Sequence, residues 1–273
     1  MNEVVTHPSI RTFTLKKSSP GPFEAILDTI RLNLELCTYR LHTIKAYLGQ
    51  IQKFVDHARP KGPEELYPKD LAEYLEDLVE QGLSRSTIDQ TVTAMHYLSR
   101  ELFGEPLDLG AFRRPRKNRY EPVVLSEEEV KQISVAAGNP KHRLMIELAF
   151  SAGLRVSEVV DVRVAHINLE KGLLFIPGKG IASSRTTVFA PELKDALSRQ
   201  IGNKQPDHYL FPSERGGQLT TRSVAKFFKS ALKASGISKD ATPHTLRNSF
   251  LTCMLNKGTD PLSLQALLGR RTL

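Results

Sequence analysis

Several classes of protein are excluded by what this sequence lacks. It has only two cysteines, Cys37 and Cys253, far apart and in no metal-ligand spacing. Neither a disulfide framework nor a zinc site is expected, and a reduced, cytoplasmic setting is the default. No apolar run approaches the roughly 18–20 residues of a membrane helix, so no membrane partner is expected. The opening residues, MNEVVTHPSIRTFTLKK, hold no apolar core of a signal peptide, and nothing in them points to secretion. Internal repeats and low-complexity tracts are missing as well, and the composition leaves out disordered and collagen-like chains.

What is present describes a soluble globular chain. At 273 residues, 40% hydrophobic and 25% charged, it is about twice the usual domain size, so two domains are expected. The net charge of +8 is unevenly placed. Residues 1–124 carry 17 basic and 17 acidic side chains, and residues 125–273 carry 21 and 13. All of the excess therefore sits in the second half. A pI of 9.4 suits a polyanionic partner, because lysine and arginine release condensed counterions from phosphates. The run Glu64, Glu65, Asp70, Glu73, Glu76, Asp77 and Glu80 breaks this basicity and reads as a solvated helix face.

The pattern along the chain is mainly α. Residues 1–22 read as a flexible tail closing in Ser-Ser-Pro-Gly-Pro. From 23 to 104 the periodicity is helical. A first helix is expected at 23–36, and Leu41, Ile44, Leu48, Ile51 and Val55 make an amphipathic stripe. Leu71, Tyr74, Leu75 and Leu78 repeat it, as do Ile88, Val92, Met95 and Leu102 after a break at 82–86 that supplies a serine N-cap. Four helices with short loops predict a small bundle whose apolar residues are core. Residues 105–124 read as a linker. Its stretch Arg113-Arg114-Pro115-Arg116-Lys117-Asn118-Arg119 is basic at five of seven positions, which suits crossing a phosphate backbone.

A second domain, 125–273, begins at Leu125-Ser126-Glu127-Glu128-Glu129-Val130. Ser126 and Glu129 fit a capping box, with Leu125 and Val130 as a hydrophobic staple. Leu144, Met145, Ile146, Leu148, Ala149 and Phe150 cover nearly all sides of one helix, which predicts its burial, with Gly153 ending it. Residues 173–177 and 186–189 flank Gly178-Lys179-Gly180 as a β-hairpin. Further helices are expected at 192–201, 221–235, 243–256 and 261–268.

The chemistry-bearing residues concentrate in the second domain. In Thr242-Pro243-His244-Thr245-Leu246-Arg247-Asn248-Ser249-Phe250, threonine can cap and proline suits the first helical turn. On a helical wheel Leu246, Phe250, Cys253 and Met254 form the apolar stripe, while His244, Arg247 and Asn248 fall on the other side. His244 and Arg247 are then neighbours at a helix N-terminus, whose dipole favours an anion. Taken alone, such a pair is ordinary surface.

Set beside Ser151-Ala152-Gly153-Leu154-Arg155-Val156-Ser157-Glu158, the hairpin Ile176-Pro177-Gly178-Lys179-Gly180 and Leu267-Leu268-Gly269, it resembles the tyrosine recombinase family, which contains phage integrases and Xer-type resolvases. The motif order matches over 125–269. The first domain resembles the family's helical core-binding (SAM-like) domain in Leu41-His42-Thr43-Ile44-Lys45-Ala46-Tyr47 and Leu83-Ser84-Arg85-Ser86-Thr87-Ile88. The resemblance implies a four-helix core-binding domain followed by an α+β catalytic domain. Its activity would be site-specific recombination of double-stranded DNA by metal-independent strand cleavage and rejoining, with no cofactor and no metal. Carried over, Arg155 and Arg247 would clamp the scissile phosphate. Lys179 would protonate the leaving 5′-oxygen, and His244 would assist proton transfer or bind the phosphate. Ser157 and Glu158 would be supporting residues, with a helix cap or ion pair as Glu158's role. Planar, permanently charged arginine forks suit such a clamp.

The sequence departs from the family in three places. Arg270 stands where the family usually has histidine or tryptophan. Ile181-Ala182-Ser183-Ser184 replaces a polar or basic run. The family's nucleophilic tyrosine would lie roughly nine residues beyond the Arg270 position, whereas Tyr39, Tyr47, Tyr67, Tyr74, Tyr97, Tyr120 and Tyr209 all precede His244. The expectation is a chain that binds DNA and does not cleave it alone. It would be monomeric in solution, whereas the family forms homo-oligomers on DNA. Two further readings are a degenerate DNA-binding module derived from an integrase, and a type IB topoisomerase. The topoisomerase shares the phosphate clamp but not the N-terminal bundle.

Overall fold

The structure is a computed structural model that describes residues 23–60, 62–110, 112–116, 122–178 and 184–269. The chain divides into two compact units, Met1–Arg119 and Tyr120–Leu273.

Among its described residues the first unit holds four α-helices, α1 (Glu24–Leu36), α2 (Leu41–Ala58), α3 (Pro68–Glu80) and α4 (Arg85–Phe103). Their starts follow local chemistry. Ser84 Oγ accepts the Thr87 N–H at the head of α4, as the serine N-cap requires, and the Asp70 carboxylate accepts the Tyr67 N–H at the head of α3. Ile30, Leu34, Ile44, Ile51, Phe54, Leu71, Leu75, Ile88, Met95 and Leu98 fill the core. Two details differ from the pattern. Leu41 opens α2 at a corner and is exposed, while Phe54 joins the buried stripe. The expected linker does not begin at 105 as free chain. Leu107 is buried, and Leu109 and Phe112 pack on the bundle core, because leaving them in water is unfavourable. Arg114 pairs with Asp89 at 3.0 Å, which draws one basic side chain of this stretch back onto α4.

The second unit is α+β. It contains α5 (Glu127–Ala136), α6 (Pro140–Ser151), α7 (Val156–Asp161), β1 (Ile167–Asn168), β2 (Leu173–Ile176), β3 (Arg185–Val188), α8 (Lys194–Ile201), α9 (Thr221–Ala234), α10 (Pro243–Asn256) and α11 (Pro261–Leu268). The Ser126–Glu129 capping box is formed at 3.2 and 2.8 Å. Helix α6 is buried through Leu144, Met145, Ile146 and Leu148, as its apolar wheel requires. The strands form one antiparallel sheet in the order β1-β2-β3, with Phe175 opposite Thr186 and Ile176 opposite Arg185. The expected hairpin is thus β2–β3. The two-residue strand β1 and the six-residue helix α7 carry too few residues to show a period, and the sequence pattern does not reveal them. Among the described residues no helix is long and apolar enough to cross a membrane.

Candidate active site

The site is built around the turn that ends α6. Gly153 takes φ +59°, a left-handed conformation open to glycine. It is also a point of close approach. A Cβ there would lie 2.7 Å from both Leu268 Cδ2 of α11 and Phe250 Cδ1 of α10. The turn delivers Arg155 to the residue preceding α7, and α7 begins with a cap in which Glu158 accepts the Arg155 backbone N–H at 2.7 Å. The supporting role expected of Glu158 is therefore present, and it reaches further than a cap.

Three arginines converge on that carboxylate. Arg155 donates through Nη1 to Glu158 Oε1 at 2.8 Å. Arg185, at the start of β3, grips it with both prongs, Nη1 to Oε1 and Nη2 to Oε2, each at 2.7 Å. Arg247 Nη1 lies 3.6 Å from Oε2. Burial alone would push the Glu158 carboxyl up. The bonds from Arg185 and from the Arg155 backbone outweigh it and hold the group down at about 2. Three guanidinium groups against one carboxylate leave a local surplus of positive charge, the electrostatic condition for holding an anion.

The three differ in access. The Arg155 side chain is 44% exposed, so an acceptor from solvent can reach its fork. Arg247 is 1% exposed, which differs from the open polar face its wheel position suggests. Its helix is covered there by α11 and the Gly153 turn. The buried guanidinium is satisfied by the Gly153 carbonyl (2.7 Å, from Nη1) and the Leu268 carbonyl (2.5 Å, from Nη2). His244 sits in the first turn of the same helix and is exposed. At that helix start the Thr245 hydroxyl accepts the Thr242 N–H at 3.0 Å.

Of the four residues singled out by sequence, Arg155 and Arg247 meet at Glu158, and His244 lies one turn before Arg247 on α10. Lys179 and Arg270 lie outside the described residues, as do 1–22, 117–121 and 181–183. The flanks of the hairpin turn are joined by the Gly178 N–H donating to Ser184 Oγ at 3.1 Å. Arg185 was not among the sequence candidates. The available signal was an arginine on a strand whose neighbours alternate between buried and exposed, with its partner carboxylate nearly thirty residues upstream. Among the described residues no cluster of His, Cys, Asp and Glu could hold a metal ion.

Comparison with known proteins matches residues 123–273 to the phage integrase family, and residues 26–109 to the N-terminal SAM-like domain of phage integrases. The chain belongs to the phage integrase family of tyrosine recombinases. Tyrosine recombinase XerC of Anoxybacillus flavithermus is 29% identical over 265 residues, covering 90% of this chain and 88% of the relative. The crystal structure of XerA recombinase superposes with a TM-score of 0.52 at 25% identity, covering 91% of this chain and 90% of that one. A lambda integrase tetramer bound to a Holliday junction superposes with a TM-score of 0.74 at 21% identity, covering 92% and 77%. The mainly helical, two-part fold with one small antiparallel sheet is thus that of a tyrosine recombinase, whose activity is site-specific recombination by DNA cleavage and rejoining.

Proposed function

We propose that residues 1–273 grip double-stranded DNA and hold one phosphodiester at the Arg155–Glu158–Arg247 centre. The observation that carries this reading is the meeting of Arg155 and Arg247, ninety-two residues apart in sequence, at a single carboxylate. Glu158 aims the exposed Arg155 fork while leaving it open to solvent. A phosphodiester bound there meets the surplus positive charge and the N-terminal end of α10, where the helix dipole adds to the attraction. Arg155 donates to the charge that builds on the phosphoryl oxygens in the transition state, and Arg247, buried on the Gly153 and Leu268 carbonyls, adds its positive charge from behind, a role that preorganised groups perform without reorganisation. His244 moves a proton or binds phosphate, and Lys179 protonates the leaving 5′-oxygen.

In this mechanism a tyrosine oxygen attacks phosphorus, and the 5′-oxygen leaves with a proton from the acid. The 3′-phosphotyrosyl bond is later exchanged for a new 3′-phosphodiester, so no metal or external energy source enters. Every tyrosine of 1–273 precedes His244, and none stands after Leu-Leu-Gly, where the family's attack originates. The 1–273 stretch therefore binds DNA without forming the covalent bond itself, and assembles with further copies on DNA as the solved lambda integrase dimer and tetramer do.

The test is a nicked duplex that traps 3′-phosphotyrosyl adducts, incubated with purified 1–273. We expect a salt-sensitive complex and no adduct. A covalent adduct mapped to any of its seven tyrosines would overturn this reading of the site.

A further inference from the structure

We propose that Arg185 is a positioning residue that holds Glu158 ionised and correctly aimed, and through it sets the phosphate-facing fork of Arg155. The inference rests on the functional reading above and extends it to a residue with no direct access to DNA.

Arg185 is placed where three separated segments meet. Its two prongs take both Glu158 oxygens at 2.7 Å, and its Nε donates to the Leu267 carbonyl near the end of α11 at 2.8 Å. Its stem lies flat on Gly269. A Cβ at that glycine would sit 3.0 Å from Arg185 Cδ, and Gly269 takes φ +59° to close α11. The carbonyl one residue on, at Leu268, is the one that Arg247 engages. Arg185 also starts the return strand of the hairpin, opposite Ile176, six residues after Lys179. One side chain thus ties α7, the base of the hairpin and the end of α11 together.

Access separates its role from that of Arg155. Arg185 is 7% exposed, against 44% for Arg155, and its three named bonds use the fork on internal partners. A planar guanidinium can satisfy a carboxylate with two parallel bonds and keep Nε for a third acceptor; lysine cannot. Without that fork, burial of Glu158 would favour its neutral form. A protonated carboxyl would hold Arg155 through a cation–dipole bond to one oxygen instead of an ion pair, and the exposed fork would lose its fixed direction. Among the described residues the charged groups facing Glu158 are Arg155, the residue that caps α7, Arg185 on β3 and Arg247 on α10. Asp161 and His166 line the small hollow it shares with Ile176 and Pro177.

The test compares wild-type 1–273 with Arg185→Met, Arg185→Lys, Glu158→Gln and the Arg185→Met/Glu158→Gln double variant. The first readout is the ¹³C shift of the Glu158 carboxyl between pH 7 and pH 4. The wild type should be flat over this range, Arg185→Met should titrate within it, and Arg185→Lys should titrate less far up. Arg185→Lys, which keeps the charge, serves if Arg185→Met does not fold. A Glu158 carboxyl that stays ionised down to pH 4 in Arg185→Met or in Arg185→Lys would overturn the proposal. The second readout is affinity for a 30-base-pair duplex at fixed salt. Arg185→Met and Glu158→Gln should each weaken binding by roughly 10-fold, and the double variant should lose no more than either, as groups acting in series do. Multiplying losses would mean that Arg185 acts independently of Glu158 and would sink the idea. The carboxyl titration needs no DNA. It decides on Arg185 even if Arg155→Ala leaves DNA affinity unchanged, a result that would count against the phosphate reading alone.

Discussion

Nη1 of Arg247 donates a 2.7 Å hydrogen bond to the carbonyl of Gly153, joining the interior of α10 to the turn that launches Arg155. The same turn is packed by Phe250 and Leu268, so the glycine serves three purposes. It supplies a left-handed φ, it lets α10 and α11 approach, and it presents a carbonyl to a buried cation.

Replacing Gly153 with alanine should therefore harm both fold and site. The added Cβ meets two side chains at 2.7 Å and the backbone is held at φ +59°. We expect a loss of roughly 2–4 kcal/mol from left-handed strain plus overpacking, read as a lower urea midpoint with unchanged slope. A variant as stable as wild type would show that the turn is looser than described.

The two arginines proposed to hold the phosphate should fail in different ways. Arg155→Ala removes a side chain that is 44% exposed and should leave stability within about 1 kcal/mol while weakening duplex binding. Arg247→Ala removes a buried cation and strands the Gly153 and Leu268 carbonyls, which should cost about 3–5 kcal/mol. Paired urea titrations and binding isotherms check this, and equal stability losses in both variants would contradict the difference in access.

Acid should release the energy stored in Glu158. Its carboxyl is held at about 2 in the folded chain and lies near the ordinary value when unfolded. The unfolded chain therefore binds the proton first. The stabilisation, on the order of 2–3 kcal/mol, is fully present above the ordinary carboxylate range and is lost as pH falls from there towards 2. The stability gap between wild type and Glu158→Gln should be constant from pH 6 to 7 and should narrow as pH drops from 5 to 3. A gap independent of pH would refute this linkage.

Binding of DNA should be steeply salt-dependent, and the basic stretch should contribute unequally. Arg113 and Arg116 are exposed, whereas Arg114 is paired with Asp89. Replacing Arg113 and Arg116 with alanine should lower the slope of log K against log salt by about 2 and weaken all sequences alike. Arg114→Ala should change the slope less. A salt-independent affinity would contradict phosphate-dominated binding.

What could be read from the sequence and what could not follows the range of the interactions involved. Helices α4, α5 and α6 carry their own caps or stops within a dozen or so residues, so a serine cap in the 82–86 break, Ser126 and Gly153 could be assigned without a structure. The motif order around Arg155, Lys179, His244 and Arg247 announced the family for the same reason, because each motif is local. The short elements α7 and β1 were invisible, being fixed by their neighbours and not by any period of their own. The burial of Arg247 was hidden as well: a wheel assigns faces relative to one core, and α11 supplies a second covering surface on the side the wheel leaves open. Arg185 was the furthest from reach. Its partners, Glu158 and Leu267, lie 27 and 82 residues away. Pairing of charges over such distances costs chain entropy that only the packed core repays, so it is decided by tertiary structure and leaves no trace in local spacing.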